Sequence, residues 1–326
     1  MLTDKYIAYI EGVRRYSPRT ALIYRDALER FGRWSLSSPG ESGADKLNPT
    51  MLRNYEVHLL DEEGESSRTV NLHLSILSGY CKFLMKQGEL GSNPVRLVRR
   101  PKEEKRLPVF YRKDAMLKYF EDSEFEASGE QLEFLLSMPA GSAVAVQVYE
   151  DRLRRVILSA LFSTGIRRSE LIGLNISSLD IKRKTLTVRG KGDKTRDIPL
   201  TDTLCEEISL YLSAADHMFG QSREAETPLF RTAKGARLYP VYVDRAVKKE
   251  LGTQKGFPGR KSPHVLRHTI ASELLDGGTD LNSIKELLGH SSLAATQVYT
   301  HNTIERLKTV YANAHPRAKN GGKNGD

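Results

Sequence analysis

Four of the eight histidines in the chain lie between positions 264 and 301, together with Arg267 and Tyr299. His264 and Arg267 are three positions apart, so on a helix they would share a face and reach the same ligand. A guanidinium and imidazole donors suit a phosphate whose oxygens gain charge in a transition state, and a tyrosine can hold a covalent intermediate. The stretch therefore predicts phosphoryl transfer.

Two motifs upstream add cations to this set. Arg167 stands in TGIRR before a predicted helix, with Arg168 expected on the outer face of that helix. Lys191 lies in the turn GKGDK, where a compact ammonium could protonate a leaving oxygen. We expect a site that needs no metal and no cofactor, built from Arg167, Lys191, His264, Arg267, His290 and Tyr299.

Each of these residues also has an ordinary structural interpretation. A single histidine or arginine on a helix is more often a surface or capping residue, and GKG is often only a turn. His264 and His268 are spaced like a zinc pair, but HVLRH lacks the glutamate of H-E-x-x-H and a third ligand is not evident. We interpret His268 and His301 as supporting or structural residues, and the whole set favours phosphoryl transfer.

Helix ends must bring these side chains together. Ser262 and Pro263 predict the start of a helix, and the glycines at 277 and 278 predict its end. Asp280 would cap the next helix, which Gly289 would end directly before His290. Successive helix ends thus point polar side chains toward a shared space.

The region upstream of these helices predicts a helical domain that contains one hairpin. Helical patterns cover 112 to 122 and 150 to 175, and alternation over 186 to 200 predicts two strands joined by GKGDK. The segment 121 to 149 fits neither pattern.

The first 95 residues predict an all-helical bundle. One helix covers 17 to 34, and a second carries an apolar stripe. The stripe is formed by Leu72, Ile76, Tyr80, Phe83 and Leu84.

A basic linker is expected over 96 to 110, between this bundle and a second domain at 111 to 316. The linker could be a solvated tether, but its place between two folded units favours a strap along a phosphate backbone. Residues 317 to 326, rich in Gly, Asn and Lys, predict a disordered tail. The candidate DNA-binding residues are Arg96, Arg99, Arg100, Lys102, Lys105 and Arg106.

The composition agrees with an anionic polymer as partner. The formal charge is +9 over 326 residues, and each phosphate that such a protein neutralises releases a condensed counterion. Cys81 and Cys205 are the two cysteines, too few for a disulfide framework. We find neither a long apolar run nor a secretory signal, so we expect a cytoplasmic, nucleoid-associated protein with no membrane partner.

The ordered motifs TGIRRSELIGL, GKGDKTRDIPL, HVLRHTIASELL and LLGHSSLAATQVYTH resemble those of the tyrosine recombinase (integrase) family. The resemblance implies a mainly α fold with a small β-sheet (α+β) in the catalytic domain. A helical core-binding (SAM-like) domain would complete a C-shaped clamp around DNA. It implies that Arg167, Lys191, His264, Arg267 and His290 activate the phosphate, and that Tyr299 is the nucleophile of a 3′-phosphotyrosine intermediate.

The motifs and the ending YTHNTIERLKTVYANAHPRA are most similar to Xer-type recombinases, which resolve chromosome dimers before cell division. This implies a double-stranded recombination site and a tetramer that exchanges strands through a Holliday junction, either a homotetramer or an assembly with a paralogue. Compared with Xer-type proteins, the segment 121 to 149 looks like an insertion. A helix at 303 to 313 would dock in a neighbouring protomer, and a DNA translocase is a possible activating partner.

Three alternatives stay open at this point. A mobile-element integrase or invertase would use the same residues, and a type IB topoisomerase would share the chemistry. A DNA-binding regulator without catalysis would keep the fold but not need the complete residue set.

Overall fold

The computed structural model describes residues 2–37, 47–103, 109–190, 194–221, 223–252, 254 and 256–289. The chain divides into two compact units, Met1–Arg106 and Leu107–Asp326, each with its own apolar core. This division falls inside the segment where the sequence predicts a linker. In the described ranges, no helix is long and apolar enough to cross a membrane.

The amino-terminal unit is a bundle of helices. It contains α1 (Leu2–Gly12), α2 (Pro18–Ser37), α3 (Pro49–Val57), α4 (Ser67–Lys86), a π-helical turn (His58–Glu62) and a 3₁₀ turn (Pro94–Leu97). Side chains cap the helix starts: Asn48 accepts a hydrogen bond from the backbone of Met51, and Ser66 accepts one from Thr69.

The apolar stripe of α4 differs from the expected one. Leu72 is 45% exposed, whereas Val70, Leu74 and Leu77 are buried. Each helical residue advances by about 100°, so Leu72 lies far around the helix from Leu74. The prediction that Leu72 faces the core was wrong.

The first part of the expected linker packs on the amino-terminal unit. Val98 is buried in that unit's core, and the Arg100 guanidinium donates to the Ser75 hydroxyl at 2.9 Å. The Asn71 amide donates to the carbonyl of Pro101 at 3.0 Å. Residues 96–103 are therefore folded onto the bundle rather than forming a free tether.

The carboxyl-terminal unit is built around one long helix, α7 (Ala143–Thr164), in which every residue from Arg152 to Thr164 is buried. It packs against α9 (Asp202–Phe219), α10 (Pro240–Gly252) and α11 (Pro263–Asp276). The remaining helices are α5 (Lys113–Asp122), α6 (Gly129–Leu136), α8 (Arg168–Ile172) and α12 (Leu281–Leu288).

A three-stranded antiparallel sheet lies beside these helices. Its order is β1 (Leu179–Asp180), β2 (Thr185–Arg189) and β3 (Thr195–Pro199). Leu186 pairs with Leu179 on one side and with Ile198 on the other. The hairpin was expected, but β1 was not, since two residues carry no alternation. The expected fold class, mainly helical with a small sheet, is confirmed.

The helix expected over 150 to 175 is confirmed up to Thr164 and is wrong beyond it. The α7 helix ends at Thr164 because Gly165 adopts φ +62°, a left-handed conformation that favours glycine. Arg167 is extended, and α8 starts after it as a separate short helix.

The segment 121 to 149 is an integral part of the carboxyl-terminal unit. It forms a 3₁₀ turn (Phe125–Ala127), α6 and the start of α7. Leu135 is fully buried, and the Arg152 side chain donates to Gln131 Oε1 at 2.8 Å. These contacts join the segment to the core.

The Gly165 position gives a first prediction. A Cβ there would lie 2.5 Å from Leu288 Cδ2 and 2.9 Å from Ile270 Cγ2, in a backbone conformation unfavourable to alanine. Gly165→Ala should lower the free energy of unfolding by at least about 1 to 3 kcal/mol from backbone strain alone. Urea denaturation would measure it.

Gly129→Ala is the matched control, because a Cβ at Gly129 meets nothing within 4 Å and the residue opens α6. This control should not lose stability. Equal stability of the two variants would contradict the argument for Gly165.

Candidate active site

The site is assembled from residues of three elements, α8, β3 and α11. Arg167 caps the start of α8, Glu170 lies one turn into that helix, Arg196 stands on β3, and Arg267 lies near the start of α11. We call these four residues the arginine–glutamate cluster.

Glu170 is the centre of the cluster. Its carboxylate accepts two hydrogen bonds from Arg196, at 3.1 and 2.9 Å, and one from the Arg167 guanidinium at 2.8 Å. It also accepts from the Arg167 backbone N–H at 2.8 Å, which is one half of a capping box. Burial alone would raise the pKa of Glu170, but the bonds from Arg196 and Arg167 outweigh it and lower the pKa.

Arg267 is buried, with 5% of its surface exposed. Its guanidinium donates to the carbonyl of Gly165 at 2.6 Å and to the carbonyl of Leu288. Burial, and then the positive charge of Arg167, lower the pKa of Arg267 to about 10. The side chain is still charged at neutral pH.

The last carbonyls of α12 accept from three different arginines. Leu287 O accepts from Arg196 Nε at 2.9 Å, Leu288 O from Arg267, and Gly289 O from Arg167 Nη2 at 2.7 Å. A helix carboxyl end carries partial negative charge, so three guanidiniums stabilise it. The end of α12 is thereby held at the cluster.

Gly289 makes this close approach possible. Its φ is +66°, and a Cβ at this position would lie 2.9 Å from Arg196 Cζ. The glycine is needed both for its left-handed conformation and for the space that the guanidinium occupies.

His264 projects from the exposed side of α11, and its ring lies 4.6 Å from the ring of His268, centroid to centroid. Partial burial, followed by the fields of His268, Arg267 and Arg167, lowers the pKa of His264 below its ordinary 6.5. The imidazole is therefore neutral at pH 7, with one nitrogen a donor and the other an acceptor.

The structure brings together three of the six predicted catalytic residues: Arg167, His264 and Arg267. Lys191, His290 and Tyr299 lie outside the described residues, as do His301 and the predicted helix at 303 to 313. Two glycines adjacent to them are described, and both lie at the cluster. A Cβ on Gly190 would be 3.6 Å from Arg196 Nη1 and from Glu170 Oε1, and Gly289 contacts Arg196 and Arg167.

Arg168 is turned away from the cluster. Its guanidinium forms an ion pair with Asp244 on α10. Of the two adjacent arginines, Arg167 is the one beside Arg267 and Glu170.

Glu170 and Arg196 were missed in the sequence. Glu170 follows the helix start at the spacing of a capping box, and Arg196 shares the inward face of β3 with Ile198. A charged residue on an inward strand position needs a buried partner. The alternating pattern of β3 could therefore have indicated that Arg196 is buried and paired.

The described residues contain no group of three or more His, Cys, Asp or Glu side chains arranged to hold a metal ion. The cluster is instead rich in guanidiniums. With Arg167, Arg196 and Arg267 against Glu170, it carries a surplus of two positive charges. An arrangement of this kind binds an anion with a tetrahedral array of oxygens.

Comparison with known proteins gives the family. Residues 134–306 match the phage integrase family, and residues 3–88 match the phage integrase N-terminal SAM-like domain. The chain belongs to the phage integrase family of tyrosine recombinases. The XerC tyrosine recombinase of Chlorobaculum parvum is 32% identical over 97% of this chain and 94% of its own length. The XerC tyrosine recombinase of Bacillus licheniformis is 34% identical over 97% of this chain and 96% of its own length.

The fold is also that of solved recombinases. A crystal structure of the XerH site-specific recombinase bound to a palindromic difH substrate is similar in fold, with a TM-score of 0.66 at 19% identity. The match covers 95% of this chain and 84% of the XerH chain. The chain is thus an Xer-like, site-specific tyrosine recombinase, and the alternatives of a mobile-element enzyme or an inactive regulator are not favoured.

The lowered pKa of Glu170 gives a second prediction. Its charged form is stabilised by folding, so the stabilisation is complete above the ordinary glutamate pKa near 4.5 and is lost as the pH falls through the lowered value. Glu170→Gln should cost on the order of 3 kcal/mol of unfolding free energy at pH 7, since it removes one partner of a buried ion pair.

The difference between wild type and Glu170→Gln should shrink below pH 4.5, where the carboxylate takes up a proton first in the unfolded chain and, at a lower pH, in the folded protein. Thermal unfolding across pH 3 to 7 would measure this, with the exposed Glu133→Gln as the control. A difference that does not change with pH would contradict the assignment of a charged, buried Glu170.

Proposed function

We propose that the chain cuts DNA by attack of the Tyr299 oxygen on a phosphate held by Arg167, His264 and Arg267, with Lys191 and His290 completing the site. The observation that carries this proposal is that two of these guanidiniums meet at the end of α12, ten positions before Tyr299. A tether of this length allows the phenol to reach the phosphate-binding groups.

In the proposed step, the Tyr299 phenol loses its proton to solvent, a bond forms between its oxygen and phosphorus, and the bond from phosphorus to the 5′-oxygen breaks. Lys191 supplies a proton to that oxygen, which leaves as a 5′-hydroxyl. The product is a 3′-phosphotyrosine. One phosphodiester replaces another, so a 5′-hydroxyl from a second duplex can reverse the step without ATP or a cofactor.

Arg167 and Arg267 would bind the non-bridging oxygens, which gain charge as the phenol attacks. His264 is neutral at pH 7, so it can donate one hydrogen bond to the phosphate without adding a full charge. Its depressed pKa keeps this state over the physiological pH range.

We further propose that the substrate is a pair of double-stranded recombination sites, bound by four protomers that exchange strands through a Holliday junction. The amino-terminal unit would be the core-binding domain, and the helix at 303 to 313 would dock in a neighbouring protomer. A paralogue at one half-site and a DNA translocase as activator belong to the same proposal. The role would be resolution of chromosome dimers at the nucleoid.

The basic segment after the bundle supports contact with the DNA backbone. Arg96, Arg99, Arg100 and Lys102 are exposed, and Arg100 also donates to the Ser75 hydroxyl. Lys105 and Arg106 lie outside the described residues and complete the proposed set. Such contacts give affinity that falls with salt and carry little sequence information.

A nicked suicide duplex tests the chemistry, since the cleaved strand end diffuses away and traps the protein on DNA. Wild type should be captured covalently, and Tyr299→Phe should give no capture. Arg267→Lys should lower the capture rate on the order of 10² to 10³, as loss of an oxyanion donor does. Denaturing gels would measure the covalent product.

Tyr239→Phe serves as the matched control, because this tyrosine is 49% exposed and lies outside the cluster. It should be captured like wild type. Capture of Tyr299→Phe at the wild-type rate, or no capture of wild type on any site recovered from its genome, would reject the proposal. Sequencing the captured DNA would identify the target.

A further inference from the structure

Arg196 has contacts that the proposed chemistry does not use. The side chain is 7% exposed, and all three guanidinium nitrogens donate hydrogen bonds. Nε donates to Leu287 O at 2.9 Å, while Nη1 and Nη2 donate to the two Glu170 oxygens at 3.1 and 2.9 Å. The guanidinium thus joins α8 to the end of α12.

Each end of this link leads to a proposed catalytic group. Glu170 accepts from the Arg167 guanidinium, so its position sets the position of that arginine. Leu287 is followed by Leu288 and Gly289, whose carbonyls accept from Arg267 and Arg167. The same chain then runs on toward His290 and Tyr299.

The hairpin turn is the third element at this guanidinium. A Cβ on Gly190 would lie 3.6 Å from Arg196 Nη1, and Gly190 directly precedes Lys191 in the chain. Arg196 itself is the second residue of β3, on the far side of the turn. One side chain therefore bonds to the segments that lead to Arg167 and Tyr299 and lies beside the turn that leads to Lys191.

An arginine is needed for this geometry. The planar guanidinium presents donors in a fixed fork, which matches a carboxylate on one edge and a carbonyl on the other. A lysine ammonium is a point charge and cannot reach both acceptors with fixed directions. The positive charge also balances Glu170, which leaves the charges of Arg167 and Arg267 for a ligand.

We propose that Arg196 is a positioning residue of the recombinase: it does not touch the phosphate, but holds Arg167 and the end of α12 in one geometry for attack. This inference rests on the proposed function. The variants that test it are Arg196→Met, which removes the link, and Arg196→Lys, which keeps the charge and part of the hydrogen bonding.

Arg155→Met is the matched control. Arg155 is also a buried guanidinium of the same unit, 3% exposed, paired with the buried Glu207 at 3.3 Å, and it bonds the carbonyl of Ser123 beyond α5. Loss of either arginine removes hydrogen bonds and a counter-charge from a buried carboxylate, so both variants should lower the midpoint of thermal unfolding. Only Arg196 lies at the cluster.

Two quantities separate positioning from stability: the dissociation constant for DNA, and the single-turnover rate of covalent capture at saturating suicide duplex. Both are measured at a temperature where all variants are folded. Arg196→Met should slow capture on the order of 10²-fold at nearly unchanged DNA affinity, the cost of a small misplacement of reacting groups. Arg196→Lys should recover part of the rate, and Arg155→Met should match wild type.

Equal capture rates for Arg196→Met and Arg155→Met would overturn the proposal, because the role of Arg196 would then be structural only. If Arg196→Met does not fold, a wild-type capture rate in Arg196→Lys overturns it equally. Weaker DNA binding with an unchanged rate would make Arg196 a DNA contact instead. Absence of capture in wild type would reject the proposed function itself, which distinguishes the two failures.

Discussion

The buried carboxylate of Glu170 is the interaction on which the arrangement of the site depends. It accepts from Arg196 and Arg167, and these two arginines also bond the final carbonyls of α12. A short helix, a strand and the end of a second helix are thereby held by one negative charge. Without it, three guanidiniums would lie close together with no counter-charge.

Such a cluster is not an efficient source of stability. Taking a carboxylate and a guanidinium out of water costs several kcal/mol, and well-packed apolar residues of similar volume often stabilise a fold as well or better. What the charges supply is direction, since each hydrogen bond constrains an angle as well as a distance. The glycines at 165 and 289 also fix the direction of hydrogen bonds. Their left-handed backbones turn carbonyls toward Arg267 and Arg167.

Sequence reasoning reached the residues whose types carry chemistry. Arg167, His264 and Arg267 were identified from motif and spacing, because helix ends have local signals such as Pro263, Gly277 and Gly289. The interactions between those residues were not predictable in the same way. Glu170 and Arg196 are 26 positions apart, and their pairing depends on how β3 packs against α8.

Errors within elements have a similar origin. Leu72 is apolar and helical, yet it lies on the exposed face because packing against the other helices selected a stripe through Leu74 and Leu77. The two-residue strand β1 exists only through its pairing with β2. Local propensity cannot specify either choice, since both are decided by contacts that are distant in the sequence.

The charge surplus of the cluster bears on how the site would favour a transition state over the bound substrate. A phosphodiester carries one negative charge, and attack by a phenolate adds a second. The positive charges of Arg167, Arg196 and Arg267 exceed the negative charge of Glu170 by two. The transition state, with two negative charges, therefore balances the cluster, whereas the bound phosphodiester, with one, does not. Only interactions that strengthen between ground state and transition state accelerate a reaction. The pKa of Arg267 is lowered first by burial and then by repulsion from Arg167, and an arriving anion would relieve that repulsion.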